Sequence, residues 1–262
     1  MSVIRLGAVA YLNARPLVYG LELRPSQFAL RFDVPSKCAA LLHENAIDVG
    51  MIPSIEFLRG HESYRIVPDL AIASDGEVAS VALFCRTPLE QVQTVAADTS
   101  SRTSNALLRI LCYERFGIDP EFLPMPPDPL TMLASCDAAL LIGDTALFLD
   151  HAGTGLHKVD LGDEWTSMTG LPFVWAFWAG RAGAVPPEGV RALTAARDAG
   201  VAESDRIATD YCGGAHAELG RRYLRENIQY QLGEREQAGL RQYYELALKH
   251  ELVEESRPIA FY

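Results

Sequence analysis

Leu171-Pro172-Phe173-Val174-Trp175-Ala176-Phe177-Trp178-Ala179-Gly180 is the stretch on which the fold turns. It is apolar and aromatic throughout, yet too short for the roughly twenty residues that a membrane-spanning helix needs. Its Val, Phe and Trp content favours a buried β-strand. A second long β-rich run, Val78 to Cys85, lies well upstream. Outside these two, short apolar runs (Val3 to Tyr11, Ala29 to Val34, Ile47 to Ile52, Val67 to Ala73, Val92 to Ala97, Ala138 to Ile142) alternate with helical periods such as Lys37 to Asn45 and Ser104 to Phe116. That alternation predicts an α/β fold with mixed, mostly parallel sheets.

The two long runs then read as crossover strands joining two lobes. Residues 1–78 and 176–262 are expected to form a discontinuous first lobe and 79–175 the second, with a ligand cleft where the carboxyl ends of both sheets meet. Beyond Gly180 the chain reads as helix over Pro187 to Asp198, Ser204 to Cys212, Ala215 to Glu226 and Glu234 to His250, with Gly213-Gly214 as a turn. Pro124-Met125-Pro126-Pro127-Asp128-Pro129 reads as a rigid connector, and Gly117 as the C-cap of the helix before it.

The 262 residues carry 23 Lys and Arg against 34 Asp and Glu, a net charge of −11, which argues against a general nucleic-acid or membrane-surface binder. The start, Met1-Ser2-Val3-Ile4-Arg5, runs into a strand-like segment without the features of an export signal, so a cytoplasmic location is expected. Cys38, Cys85, Cys112, Cys136 and Cys212 are scattered in apolar surroundings and read as buried thiols. The histidines show no metal-ligand spacing and no CxxC pair exists, so neither a metal nor a cofactor is expected. Phosphate-binding glycine loops and a nucleophile elbow are absent too.

Several loops at predicted strand ends are rich in hydrogen-bond donors: Tyr11-Leu12-Asn13-Ala14-Arg15, Pro53-Ser54, Asp98-Thr99-Ser100-Ser101-Arg102-Thr103-Ser104 and Gly143-Asp144. Donors facing a cleft suit an anion. The Thr99 to Ser104 stretch combines hydroxyls with the free N–H groups and dipole of a helix start, where a carboxylate fits. Capping of that helix by Ser100 or Ser101 is the competing role. Asn13 reads as a cap before Pro16. Arg15 and Arg102, with Lys37 a weaker third, are the cations placed to offset the acidic chain locally; solvated surface charge is the alternative for each. Trp175 and Trp178 default to core packing.

Val9-Ala10-Tyr11-Leu12-Asn13-Ala14-Arg15-Pro16-Leu17 resembles the opening of the chorismate dehydratases of menaquinone biosynthesis by the futalosine route. Further segments follow in the expected order: Asp48 to Glu56, Asp98 to Ser104, Ala138 to Asp144, Asp160-Leu161-Gly162-Asp163-Glu164-Trp165, and Thr169-Gly170 through Trp178. The sibling dihydroxynaphthoate synthase is less similar at the first loop, where the Tyr-Leu-Asn string decides. The resemblance implies a two-lobed type II periplasmic-binding-protein-like fold and conversion of chorismate to 3-[(1-carboxyvinyl)oxy]benzoate with loss of water. It implies Asn13 and Ser80 as catalytic residues. Tyr11, Arg15, Pro53, Ser54, Thr99, Ser100, Ser101, Arg102, Thr103, Gly143, Asp144 and Gly170 are the implied substrate-binding set. Proton removal is expected to fall to the substrate's own side-chain carboxylate. Asp144 or Glu56 as general base competes with that, and each has a structural alternative as cap or ion-pair partner. A non-catalytic receptor for an aromatic or dicarboxylate solute is the different-class alternative.

Overall fold

The computed structural model describes residues 3–262; Met1 and Ser2, the start of the segment expected to lack an export signal, lie outside them. Among the described residues the chain runs through β1 (Ile4–Val9), β2 (Phe28–Asp33), β3 (Val49–Pro53) and β4 (Tyr64–Ser74). It continues through β5 (Val81–Cys85), β6 (Thr94–Asp98), β7 (Glu121–Met125), β8 (Ala138–Ile142) and β9 (His157–Asp160), and ends its strands with β10 (Phe173–Arg181). Two five-stranded sheets result, ordered β2-β1-β3-β10-β4 and β7-β6-β8-β5-β9.

Both sheets share one connectivity. In the first, β1 pairs in parallel with β2 and β3, and β10 runs antiparallel between β3 and β4. In the second, β6 pairs in parallel with β7 and β8, and β5 runs antiparallel between β8 and β9. The single reversed strand of each sheet comes from one of the two long apolar runs. Each such strand is paired on both sides and buried on both faces, which is why its sequence is continuously apolar rather than alternating.

The chain passes from the first sheet to the second between Ser74 and Val81, and returns between Thr169 and Phe173. Crossing therefore occurs just before each long strand, not within it. Phe173 stands opposite Ser74 and Val174 opposite Ala73, so Phe173 to Trp175, expected in the second lobe, pair with the first sheet.

Two strands escaped the sequence reading. β7 contains Pro124 of the supposed rigid connector and β9 is short and charged, and both are edge strands. An edge strand tolerates a missing N–H and needs no apolar face, so it leaves little periodic signal. The C-terminal region is helical over Pro187–Ala202, Ser204–Arg222 and Glu234–Lys249, and Gly213, with φ 66°, breaks the middle one where a turn was expected.

Three rings seal the return crossing. Trp165 lies 5.1 Å from Phe173, which lies 4.9 Å from Tyr243, all edge to face, and the Trp165 indole donates to the Pro172 carbonyl. Burying one such ring contributes on the order of 5 kcal/mol, for about 200 Å² at about 25 cal/mol per Å². Exposed ion pairs contribute about 1 kcal/mol or less. Aromatic packing thus governs this crossing. No helix among the described residues is long and apolar enough to cross a membrane.

Candidate active site

A cavity lies between the two lobes, where the carboxyl ends of β1, β3 and β8 converge on β10. Its polar lining is Tyr11, Asn13, Ser80, Ser101, Thr103 and Ser104; its apolar lining includes Val9, Pro35, Pro53, Ile72, Val78, Val81, Ile142, Gly143, Trp175 and Ala176. None of these lining residues is charged. The expected donor loops therefore do face one another, but with hydroxyls, an amide and a phenol instead of cations.

Of the sequence-derived set, Tyr11, Asn13, Pro53, Ser80, Ser101, Thr103 and Gly143 line the cavity, whereas the others do not. Arg15 turns away: its guanidinium donates to the Ala10 carbonyl and lies over the rings of Phe32 and Tyr211. Arg102 pairs with Glu56 at 2.6 Å. Ser54 is buried beneath the wall against Thr103, Thr99 is exposed, and Ser100 donates through its amide and hydroxyl to Asp98. Asp144 sits at the rim. Gly170 is exposed and, with φ 72°, serves as the left-handed C-cap of the helix Leu161–Thr169. Asn13 belongs to the turn Leu12–Ala14 and caps nothing; its Oδ1 is buried without a protein partner.

Gly143 explains its own place in the sequence. A Cβ there would come within 2.7 Å of the Tyr11 ring, and its φ of 59° is one that side chains avoid. Its amide holds the Ser80 carbonyl at 2.8 Å.

Helix Arg102–Leu111 starts at Ser101 with no side-chain cap. The competing capping role for Ser100 and Ser101 is thus not taken up, and the first turn, bearing Thr103 and Ser104, opens on the cavity with its dipole positive end inward. Nearby, burial raises the Asp98 carboxyl above the usual carboxylate range despite the two bonds from Ser100, and it raises the Tyr11 phenol as well.

Ser80 is held from behind. Its amide bonds the Val78 carbonyl at 2.7 Å, a tight turn centred on Ala79, whose φ is 62°. That conformation costs a residue with a Cβ roughly 1–2 kcal/mol. Asp160 accepts the Val78 and Ala79 amides at 3.0 and 2.8 Å while capping its own helix through Gly162 and Asp163. Hydrogen bonds to a charged group contribute about 1.5–3 kcal/mol each, so the clamp outweighs the strain. Gly162 is required for this approach, because a Cβ would meet the Gly76 carbonyl at 2.6 Å. The Asp160 to Trp165 motif is thereby accounted for as the clamp and the aromatic seal.

The lobes touch through several hydrogen bonds around the cavity. Ser36 N donates to Ser100 O, Ile55 N to Thr103 Oγ1, and Leu12 N to Asp144 Oδ1, at 3.1–3.3 Å. Asp144 Oδ2 accepts from Tyr211 at 2.5 Å. Glu56, 2% exposed, takes Arg102 from the other lobe, with Arg59 and His43 beside it. Burial opposes its charge, but the His43 hydrogen bond and Arg102 outweigh that and keep its carboxyl below the ordinary value. Glu56 and Asp144 thus act as inter-lobe acceptors, and neither lines the cavity.

Residues 4–249 match the model of a family described as menaquinone biosynthesis. The chain belongs to this family. Among relatives of the menaquinone biosynthesis family, the chorismate dehydratase of Thermus thermophilus is 32% identical over 258 residues, covering 92% of this chain and 93% of its own. A protein from Archaeoglobus fulgidus superposes with a TM-score of 0.79 at 20% identity, over 95% of this chain and 98% of the other. The periplasmic aliphatic sulphonate binding protein SsuA of Escherichia coli gives 0.68 at 16% identity, over 97% and 94%. These two likenesses establish the type II periplasmic-binding-protein-like fold, while the family membership rests on the sequence.

Ser104, the end of the donor-rich stretch, and Trp175, expected only to pack in the core, line the cavity as well, and Tyr223, behind it, carried no sequence signal. Trp175 and Trp178 are three apart on one strand, which puts them on opposite faces. Trp175 reaches the cavity and donates to Ser74 Oγ at 3.1 Å, whereas Trp178 is fully buried. Tyr223 begins a π-helical turn in the C-terminal helical region, where no motif marks it.

Proposed function

We propose that this protein is a chorismate dehydratase, a hydro-lyase that converts chorismate to 3-[(1-carboxyvinyl)oxy]benzoate and water on the futalosine route to menaquinone. The observation that carries the reading is a cavity of neutral donors enclosed between two lobes, in a chain whose family and full-length relative point to the same reaction. Two carboxylates on the substrate match a lining that offers an uncapped helix N-terminus, several hydroxyls and an amide.

Elimination breaks the C–H bond at the ring carbon bearing the enolpyruvyl ether and the C–O bond of the neighbouring hydroxyl. The electron pair of the former completes the aromatic ring, and the departing hydroxide takes up the abstracted proton as water. No carboxylate, His or Lys lines the cavity among the described residues, and the Tyr11 phenol, raised by burial, is a poor base. The side-chain carboxylate of chorismate is therefore the proton acceptor in this scheme. Asn13 contacts the reacting centre, Ser80 donates to the departing hydroxyl, and the start of helix Arg102–Leu111 holds a carboxylate. All five cysteines are unpaired, which supports a reducing, cytoplasmic setting.

The test is incubation with chorismate alone, followed by ultraviolet absorbance of the aromatic product. Turnover that falls by roughly a hundredfold or more in Asn13→Ala, with an unchanged melting temperature, is the expected result. Tight binding with chorismate recovered intact would make the protein a receptor, and turnover only of cyclic dehypoxanthine futalosine would make it the sibling synthase.

A further inference from the structure

Tyr223 lies outside the cavity lining, 1% exposed, yet its phenol donates to Ser80 Oγ at 2.6 Å. One buried side chain from the C-terminal helical region thus stands behind Ser80, one of the two residues assigned to the reacting centre. Asn13 comes from the first lobe, and Ser80 from the crossing into the second.

The proton count at this junction is restrictive. A phenol carries a single proton, and here it is donated to Ser80. Ser80 Oγ is then an acceptor toward Tyr223, which leaves its own proton to be donated elsewhere. The Ser80 amide and carbonyl are already engaged with Val78 and Gly143, so only the hydroxyl is free to turn. The direction left open is the cavity that Ser80 lines. Asn13, which also lines the cavity, keeps an Oδ1 that is buried without a protein partner and available to substrate. Burial strongly disfavours the phenolate, so Tyr223 stays a fixed donor and does not exchange its proton during the reaction.

We propose that Tyr223 is a positioning residue for the dehydration: by donating to Ser80 Oγ it turns the Ser80 proton into the cavity, toward the departing hydroxyl of the substrate. This role rests on the dehydratase reading above. It requires no covalent step at Tyr223.

Tyr223→Phe keeps the ring in its packing and deletes only the donor. In steady-state turnover of chorismate, the variant is expected to lose roughly tenfold to a hundredfold in kcat with KM within about threefold of wild type. In a Ser80→Ala background the same substitution is expected to change the rate by less than about twofold, because its effect passes through Ser80. A Tyr223→Phe rate equal to wild type overturns the proposal. So does an undiminished loss in the Ser80→Ala background, or a loss that appears in KM and melting temperature together. Absence of turnover by the wild-type protein is a separate result: it removes the dehydratase reading itself, and this role with it.

Discussion

Asp144 Oδ1 and the Leu12 amide meet at 3.1 Å across the gap between the lobes, next in sequence to Asn13, while the other Asp144 oxygen accepts from Tyr211. A single carboxylate at the rim thereby fastens the loop that carries the central amide of the site. Asp144 works as a latch in this geometry. Asp144→Ala should raise KM by roughly tenfold to a hundredfold, from the loss of about 1.5–3 kcal/mol of charge-assisted hydrogen bonding. Asp144→Asn retains an acceptor and should do less. Steady-state kinetics across pH decide the matter: disappearance of an ionisation from the rate profile in Asp144→Asn would reinstate it as the base.

The clamp on Ser80 gives two opposed expectations. Asp160→Asn weakens acceptance from Val78 and Ala79 and should lower stability by about 2 kcal/mol. Ala79→Gly relieves the positive φ but adds unfolded-state freedom, so its net effect should stay within about 1 kcal/mol. Chemical denaturation measures both, and a strongly destabilised Ala79→Gly would contradict the assignment of strain.

At the helix start, Ser104→Asp places a carboxylate where the substrate's is expected to rest. The folded state should tolerate it, since an acidic side chain suits a helix N-terminus. Affinity for chorismate should nevertheless fall by roughly tenfold or more through like-charge exclusion. Calorimetric titration that finds unchanged affinity would move the anion site elsewhere.

Glu56 supplies a pH dependence with a defined sign. Its folded-state value lies below the ordinary carboxylate value of about 4.3, so it contributes stability above that pH, lost as pH falls through the depressed folded value. Melting temperatures followed from pH 6 downward should drop more steeply for wild type than for Glu56→Gln. Parallel curves would remove Glu56 as the titrating group.

How much of this was legible beforehand depended on burial. Central strands such as β8 and β10 carry uninterrupted apolar residues and declare themselves, whereas β7 and β9 at sheet edges do not. The loops bearing Asn13, Ser101 and Gly143 were recognisable as donor-rich segments at the ends of apolar strands, although Asn13 and Ser101 cap no helix. The direction of Arg15 and Arg102 was not, since a cation near a cleft can equally pair with Glu56 or stack on Phe32, and only the tertiary arrangement decides. Tyr223 left no trace at all. A lone tyrosine in a helical stretch looks the same whether it supports a distant serine or merely fills space.

A pocket walled by uncharged groups inside a polyanion has a kinetic corollary. An incoming dianion meets long-range repulsion from the −11 envelope, with no cation among the described lining residues to draw it in. Added electrolyte shortens the reach of that repulsion to about 8–10 Å at physiological strength. Capture of such a ligand should accelerate as sodium chloride is added, opposite to the trend for enzymes that attract their substrates electrostatically.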